Sequence, residues 1–132
     1  MKILFFIPLL FVCYLGIGQT VNSASIIGKP YKIGNLLVAQ NDFPNPMNQE
    51  NAKRNCLALG KGWRLPTKEE LNILYQNKNN IGGFVENNYW SSTDDKIFNS
   101  KAWRQSFANG AHGFREVDSK AWSMNVRAVK AF

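Results

Sequence analysis

Few residues in this chain have the chemistry for catalysis, and none of them is grouped. The one histidine, His112, stands between Ala111 and Gly113, so a zinc site or a Ser/His/Asp triad would have to be assembled with no local signature. Cys56 falls on a helical pattern with Ala52 and Leu59 and reads as a small buried hydrophobe, not a nucleophile. Asp94-Asp95 and Glu86-Asn87-Asn88 offer oxygens, but calcium wants about six to eight of them and no spacing here specifies such a cage. They read as turn residues. A glycine-rich phosphate loop of the required spacing does not occur. The expectation is therefore no catalytic residue, no metal and no cofactor.

Recognition chemistry is better represented. The stretch 94–123 carries Phe98, Trp103, His112, Phe114, Arg115 and Trp122 amid Asn, Ser and Gly, an aromatic-plus-polar mixture suited to adaptable contacts. Exposed Trp and Arg tend to dominate binding energy. The expected ligand-binding set is His112, Phe114, Arg115, Lys120 and Trp122, with Arg104 adding charge. Trp103 alternates with Phe107 and is assigned to the core, and Arg127 to an ion pair under the sheet.

The beginning of the chain says where these residues would work. Met1-Lys2, the apolar run Ile3 to Val12 and the small residues Gly16 and Gly18 have the layout of a secretory signal peptide. The run is short of the ~20 residues that a spanning helix needs. Residues 1–24 are assigned to the signal, with cleavage after Gly18 or after Ala24 both open, and residues 25–132 to a single domain with no transmembrane segment. An uncleaved anchor is the other reading; lipidation at Cys13 is opposed by the bulky Phe11-Val12 before it. Cleavage leaves Cys56 alone, so the exported domain has no internal disulfide. A core of roughly 110 residues buries about two-thirds of its unfolded surface, which is enough without one. The formal charge of +7 becomes +6 when Lys2 leaves, an excess that favours anionic partners, although such charge is also common on solvated surfaces. Lys and Arg are scattered rather than run together, and export argues against nucleic acid. An acidic polysaccharide or an envelope or host protein remains; the oligomeric state is not readable.

The elements that must position the loops are clearer. Thr67 with Glu70 three residues later is a capping box, and Pro66 keeps helix out of the residue before it. Leu71, Leu74 and Tyr75, with Ile73 beside them, then give an apolar helical stripe, and Trp63 is placed to cover the helix entrance. Upstream, Asn48 caps a second helix with Ala52, Cys56 and Leu59 on one face and Gly60 at its exit. Residues 21–29 read as a frayed lead-in or as the last part of the removed segment, and Asp42-Phe43-Pro44-Asn45-Pro46 as a loop. Strands are expected at Leu36–Ala39, Asn88–Thr93, Ala102–Phe107 and Met124–Phe132, with a tight hairpin at Asn109-Gly110. A terminal strand must be tied down by pairing, and the strand at Leu36 is its expected neighbour.

Trp63-Arg64-Leu65-Pro66-Thr67 with Glu70-Leu71, then Tyr89-Trp90-Ser91-Ser92, Ala102-Trp103, and Val126-Arg127-Ala128-Val129 with Phe132 carry a resemblance over nearly the whole exported chain. In that order they resemble the domain of unknown function 1566 family, which includes the C-terminal domain of bacterial collagen-like adhesins. The resemblance implies an α+β, C-type-lectin-like fold related to the formylglycine-generating, sulfatase-modifying enzymes. Two helices would pack on a small twisted antiparallel sheet with the N- and C-terminal strands paired and long loops on one side.

Function is implied less closely, because relatives of that fold include sugar binders, protein binders and an oxidase. The oxidases need cysteines in the C-terminal part, and none follows Cys56. The Glu-Pro-Asn and Gln-Pro-Asp tripeptides that hold calcium and sugar in animal lectins are also missing. The expectation is an exported, non-enzymatic binding module of the bacterial envelope or exterior, recognising an acidic glycan or a protein through its loop-rich half. A structural or assembly module and an enzyme related to the oxidases are the alternatives.

Overall fold

The computed structural model describes residues 22–113 and 120–132. Its elements are α1 (Ser23–Ile27), β1 (Tyr31–Ile33), β2 (Leu36–Val38), α2 (Gln49–Ala58), α3 (Lys68–Gln76), α4 (Lys78–Ile81), β3 (Asn88–Asp94), β4 (Ala102–Ser106), β5 (His112–Gly113) and β6 (Val129–Ala131). Both main helices start where their caps dictate. The Asn48 side chain accepts the Asn51 N–H at 2.8 Å, and the Thr67 hydroxyl accepts the Glu70 N–H at 3.1 Å while the Glu70 carboxylate accepts the Thr67 N–H at 2.9 Å. Arg64 adds a fork onto Glu70 at 2.7 and 3.0 Å, holding the motif's first turn to the chain that enters it.

The early strand β2 and the final strand β6 pair as expected, but the strands form two sheets instead of one. The first has the order β1-β2-β6, antiparallel, with Val38 opposite Val129. The second has the order β3-β4-β5. Isolated bridges, Tyr89 to Asn125 and Met47 to Met124, join the return of the chain to the rest. Pro44 and Pro46 lack an N–H and keep the segment after β2 from continuing as a ladder beside residues 124–128. On either side of them, Ala39, Phe43 and Met47 still donate to the carbonyls of Ala128, Val126 and Met124. The two segments therefore run together without being a strand pair.

Each main helix covers its own part of the core. Ala52, Cys56 and Leu59 of the α2 face pack with Trp63, Leu65, Trp90, Val126 and Ala128. Leu71 and Leu74 of α3 pack with Leu36, Val38, Tyr89, Phe107 and Val129. Trp63 belongs to the α2 cluster, and Ile73 is exposed on the far side of α3. Residues 21–29 are not a frayed lead-in over their described part: Asn22 caps α1, and Ile26 is buried against the α2 cluster. With α1 and α4, the helices number four among the described residues, against the two expected.

The segment after β2 and the segment before β6 are locked together by Arg127, which is buried. Its Nε donates to Asp42 Oδ1 at 2.6 Å, its two terminal nitrogens to the carbonyls of Ala39 and Gly82, and its guanidinium lies 4.0 Å from the centre of the Phe84 ring. Gly83 makes room: a Cβ there, at a φ of 80°, would stand 3.0 Å from the guanidinium. The Tyr89 hydroxyl donates to the other Asp42 oxygen. Burial pushes the Asp42 carboxyl above its ordinary range, against the pull of Arg127 and the Tyr89 hydrogen bond, and burial likewise pushes the Tyr89 phenol up. The expected ion pair at Arg127 is thus present and holds four segments together.

Candidate binding face

β3 and β4 leave their ladder at one point, and that point shapes the loop-rich end. Trp90 pairs with Arg104, but the next partners are Asp94 and Ala102, so Ser91, Ser92 and Thr93 bulge opposite Trp103 alone. The extra residues are used. Ser92 N–H donates to Pro66 O, Thr93 Oγ1 accepts the Lys68 N–H at 3.0 Å, and Ser91 Oγ donates to Trp103 O at 2.8 Å. The bulge thereby seats the N-terminus of α3 on β3. It also breaks the alternation of β4: Ala102 and Gln105 are buried, while Trp103 and Arg104 are half-buried. Trp103 is accordingly not a core residue. Its ring lies 4.1 Å beneath the Lys68 ammonium and walls a groove of ≈ 410 Å³ shared with Glu69, Thr93, Asp94 and Ile97.

Asp94 ends β3 between two elements that each send it a lysine. The cap at Asn48 makes Gln49 the first residue of α2, and its buried amide donates to Ser91 O at 3.0 Å and to Asp94 Oδ1 at 3.3 Å. One turn later Lys53 lies 3.8 Å from the same oxygen. From the other side the Lys120 ammonium reaches Asp94 Oδ2 at 3.2 Å. Lys120 is itself held at both backbone groups, its N–H donating to Ser100 O and its carbonyl accepting the Gln49 N–H. A second groove, of ≈ 490 Å³, opens over Asn48, Gln49, Glu50, Lys53, Lys120 and Ala121.

The loop 95–101 closes on itself and pushes apolar side chains outward. Asp95 N–H donates to Lys101 O, Lys101 N–H donates to Phe98 O, and the Asp95 carboxylate accepts the Phe98 N–H at 2.9 Å. With the small ring closed internally, Ile97 is 79% and Phe98 55% exposed. Trp122, on the neighbouring segment that Lys120 ties to Ser100, is 50% exposed. Large apolar side chains in that state are informative when they cluster on joined segments.

The expected binding residues are only partly brought together. Lys120 and Trp122 are on this face. Arg104 lies on the β4–β5 hairpin, donating to Ala111 O at 3.3 Å. His112 occupies β5, with its backbone opposite Gln105. Phe114 and Arg115 lie outside the described residues. Sequence reasoning missed Lys53, Asp94 as their hub, and Ile97. A signal for the last existed: Ile97-Phe98 is an apolar pair between Lys96 and Lys101 directly after the Asp94-Asp95 turn. No local signal links Lys53 to Asp94.

Among the described residues no group of three or more His, Cys, Asp and Glu is placed to hold a metal ion, and the Asp94 carboxylate is engaged by two ammonium groups. Cys56 is buried, and burial pushes its thiol up to about 12, where it is neither a nucleophile nor a ligand at neutral pH. Among the described residues no helix is long and apolar enough to cross a membrane.

Comparison with known proteins bears on the fold and the family. Botrocetin superposes with a TM-score of 0.59 at 11% identity, covering 80% of this chain and 98% of its own. EMS16, described as an antagonist of the collagen receptor integrin alpha2beta1, does so with 0.58 at 11%, covering 78% and 97%. A chain of the complex of a von Willebrand factor A1 domain with botrocetin gives 0.55 at 10%, covering 80% and 98%. These are C-type-lectin-like domains, and at such identities they show the fold alone. No curated protein matches the chain in sequence. Residues 35–130, which take in β2, both main helices, the whole β3-β4-β5 sheet and the lysine-flanked face but not β1, match the model of the Lcl C-terminal domain, and the chain belongs to that family of adhesin C-terminal domains.

Proposed function

We propose that this domain is an exported, non-catalytic binding module of the bacterial envelope or exterior that recognises an acidic partner through its loop-rich end. The observation that carries the reading is the exposure of Ile97, Phe98 and Trp122 on two segments that the Lys120–Ser100 hydrogen bond joins and that also carry Lys96, Lys101 and Lys120. Apolar anchors inside a charged rim are the anatomy of a recognition surface. The adhesin family fits an exterior location, and two of the neighbours in fold are named for protein contacts: an integrin antagonist and a complex with a von Willebrand factor domain. The apolar trio favours a protein surface as partner. The net charge of +7 on the full chain favours an acidic polysaccharide equally well.

The test is a binding screen of the secreted protein against acidic proteins and a glycan array, repeated across sodium chloride concentrations. Binding that weakens as salt rises, and that falls by about tenfold in the double variant Ile97→Ser with Phe98→Ser, supports the reading. Salt-sensitive binding that survives that double variant assigns the ligand to charge alone and favours the polysaccharide. No binding to any acidic probe, together with a stable oligomer, would identify an assembly module instead.

A further inference from the structure

Lys53 and Lys120 come from segments far apart in the chain and converge on one carboxylate that the protein itself supplies. Lys120 is fixed by backbone hydrogen bonds on both sides, to Ser100 and to Gln49, and Lys53 stands one helical turn after Gln49. Gln49, 1% exposed, aims its amide at the same Asp94 oxygen that Lys53 faces. The cradle is thus built from three elements, opens into the ≈ 490 Å³ groove, and demonstrates with Asp94 that a carboxylate fits between the two ammonium groups.

Given the acidic partner proposed above, on which this rests, we infer that Asp94 is an internal counter-ion that restrains the domain, and that an acidic side chain of a protein partner competes with it for Lys53 and Lys120. The geometry supports competition. Each ammonium has three donors and is partly open to solvent, with side-chain exposures of 42% for Lys53 and 27% for Lys120, so a second carboxylate can approach from the groove. Asp94 neutralises part of the field that would draw such a group in, and removing its charge takes away the one carboxylate that pairs with both ammonium groups among the described residues. A protein carboxylate is favoured over a glycan one because Phe98 and Ile97 stand beside the segment that holds Lys120, where a peptide's apolar side chains find contact. The consequence is directional. The charge-removing variant of an ion-paired residue binds its ligand more tightly, not less.

The experiment measures binding of a glutamate-rich peptide carrying one aromatic residue to the secreted protein at two salt concentrations. Asp94→Asn keeps the acceptor for Gln49 and removes the charge. It is expected to bind roughly two- to fivefold tighter with a steeper salt dependence. Lys53→Met with Lys120→Met is expected to bind roughly tenfold weaker, and each single lysine variant to fall between. Thermal unfolding of each variant checks its fold, and the single lysine variants carry the test if Asp94→Asn does not fold. Unchanged or weaker peptide binding by a folded Asp94→Asn overturns the inference, as does unchanged binding by the double lysine variant. Polygalacturonate binding through the two lysines without peptide binding overturns the protein source. If the wild-type protein binds no acidic probe at all, it is the proposed function that fails, a result distinguishable from wild-type binding that ignores these variants.

Discussion

Replacing Arg127 by methionine keeps an apolar stem of similar length and removes a guanidinium whose loss is felt in four places. Asp42 Oδ1 loses its 2.6 Å partner, the carbonyls of Ala39 and Gly82 lose donors at 3.1 and 3.2 Å, and Phe84 loses the cation 4.0 Å from its ring centre. Breaking one side of a buried ion pair costs about 3–5 kcal/mol, because the remaining charge stays desolvated. Asp42 keeps the Tyr89 hydroxyl and has a 13% exposed side chain, which places the cost at the lower end, about 3 kcal/mol. With a urea slope of about 1.5 kcal/mol/M, the unfolding midpoint falls by about 2 M. Arg127→Lys keeps the charge but not the fork that serves three acceptors at once, so it recovers only part of the loss. The double variant Asp42→Asn with Arg127→Met strands no charge, and should cost less than the sum of the singles by about 1–3 kcal/mol. Urea titrations followed by circular dichroism at pH 7 give all four values. A cost below about 1 kcal/mol for Arg127→Met, or a double variant additive within about 0.5 kcal/mol, would refute the assignment of Arg127 as the lock between the segments after β2 and before β6.

Three further outcomes follow from the same structure. The hydrogen bonds from Arg64 hold the Glu70 carboxyl below its ordinary value of 4.5, with the Thr67 cap contributing, so its stabilisation is present above pH 4.5 and is lost as pH falls through the folded value. Asp42 is raised and runs the opposite way, favouring the folded state as acid protonates it. The fall of the urea midpoint between pH 6 and 3 should therefore be shallower in Glu70→Gln than in the wild type, and an unchanged slope would remove Glu70 as a contributor. Cys56 should resist a thiol reagent in the folded protein and label only on denaturation; rapid native labelling would reopen thiol chemistry. Signal cleavage after Gly18 leaves the Asn22 cap and the whole of α1, whereas cleavage after Ala24 cuts that helix in two. We propose the Gly18 cut: mass spectrometry of the protein expressed with its leader in a bacterium is expected to find a chain starting at Gln19, a start at Ser25 would show that α1 is dispensable, and an intact residue 1 would remove the signal assignment.

Signals that act over a few residues were legible without a fold. A capping box is complete within four positions, helical spacing exposes its own apolar face, and two prolines within three residues exclude a ladder wherever they are placed. These features determined α2, α3, the Pro44–Pro46 loop and the burial of Leu71, Leu74 and Cys56, and the demand of a terminal strand for a partner paired Val129 with Val38. What depends on distant residues was decided only by tertiary structure. The register shift opposite Trp103 goes with contacts from Ser92 to Pro66 and from Lys68 to Thr93 that no local pattern announces, and that indole lies in a groove wall instead of the expected core. Lys53, Asp94 and Lys120 share no motif and become a unit only where α2, the end of β3 and the returning chain converge. Backbone preference is a local energy and is written locally. Placing a charge opposite another is a matter of distance in space, and distance is set by the packing of the whole core.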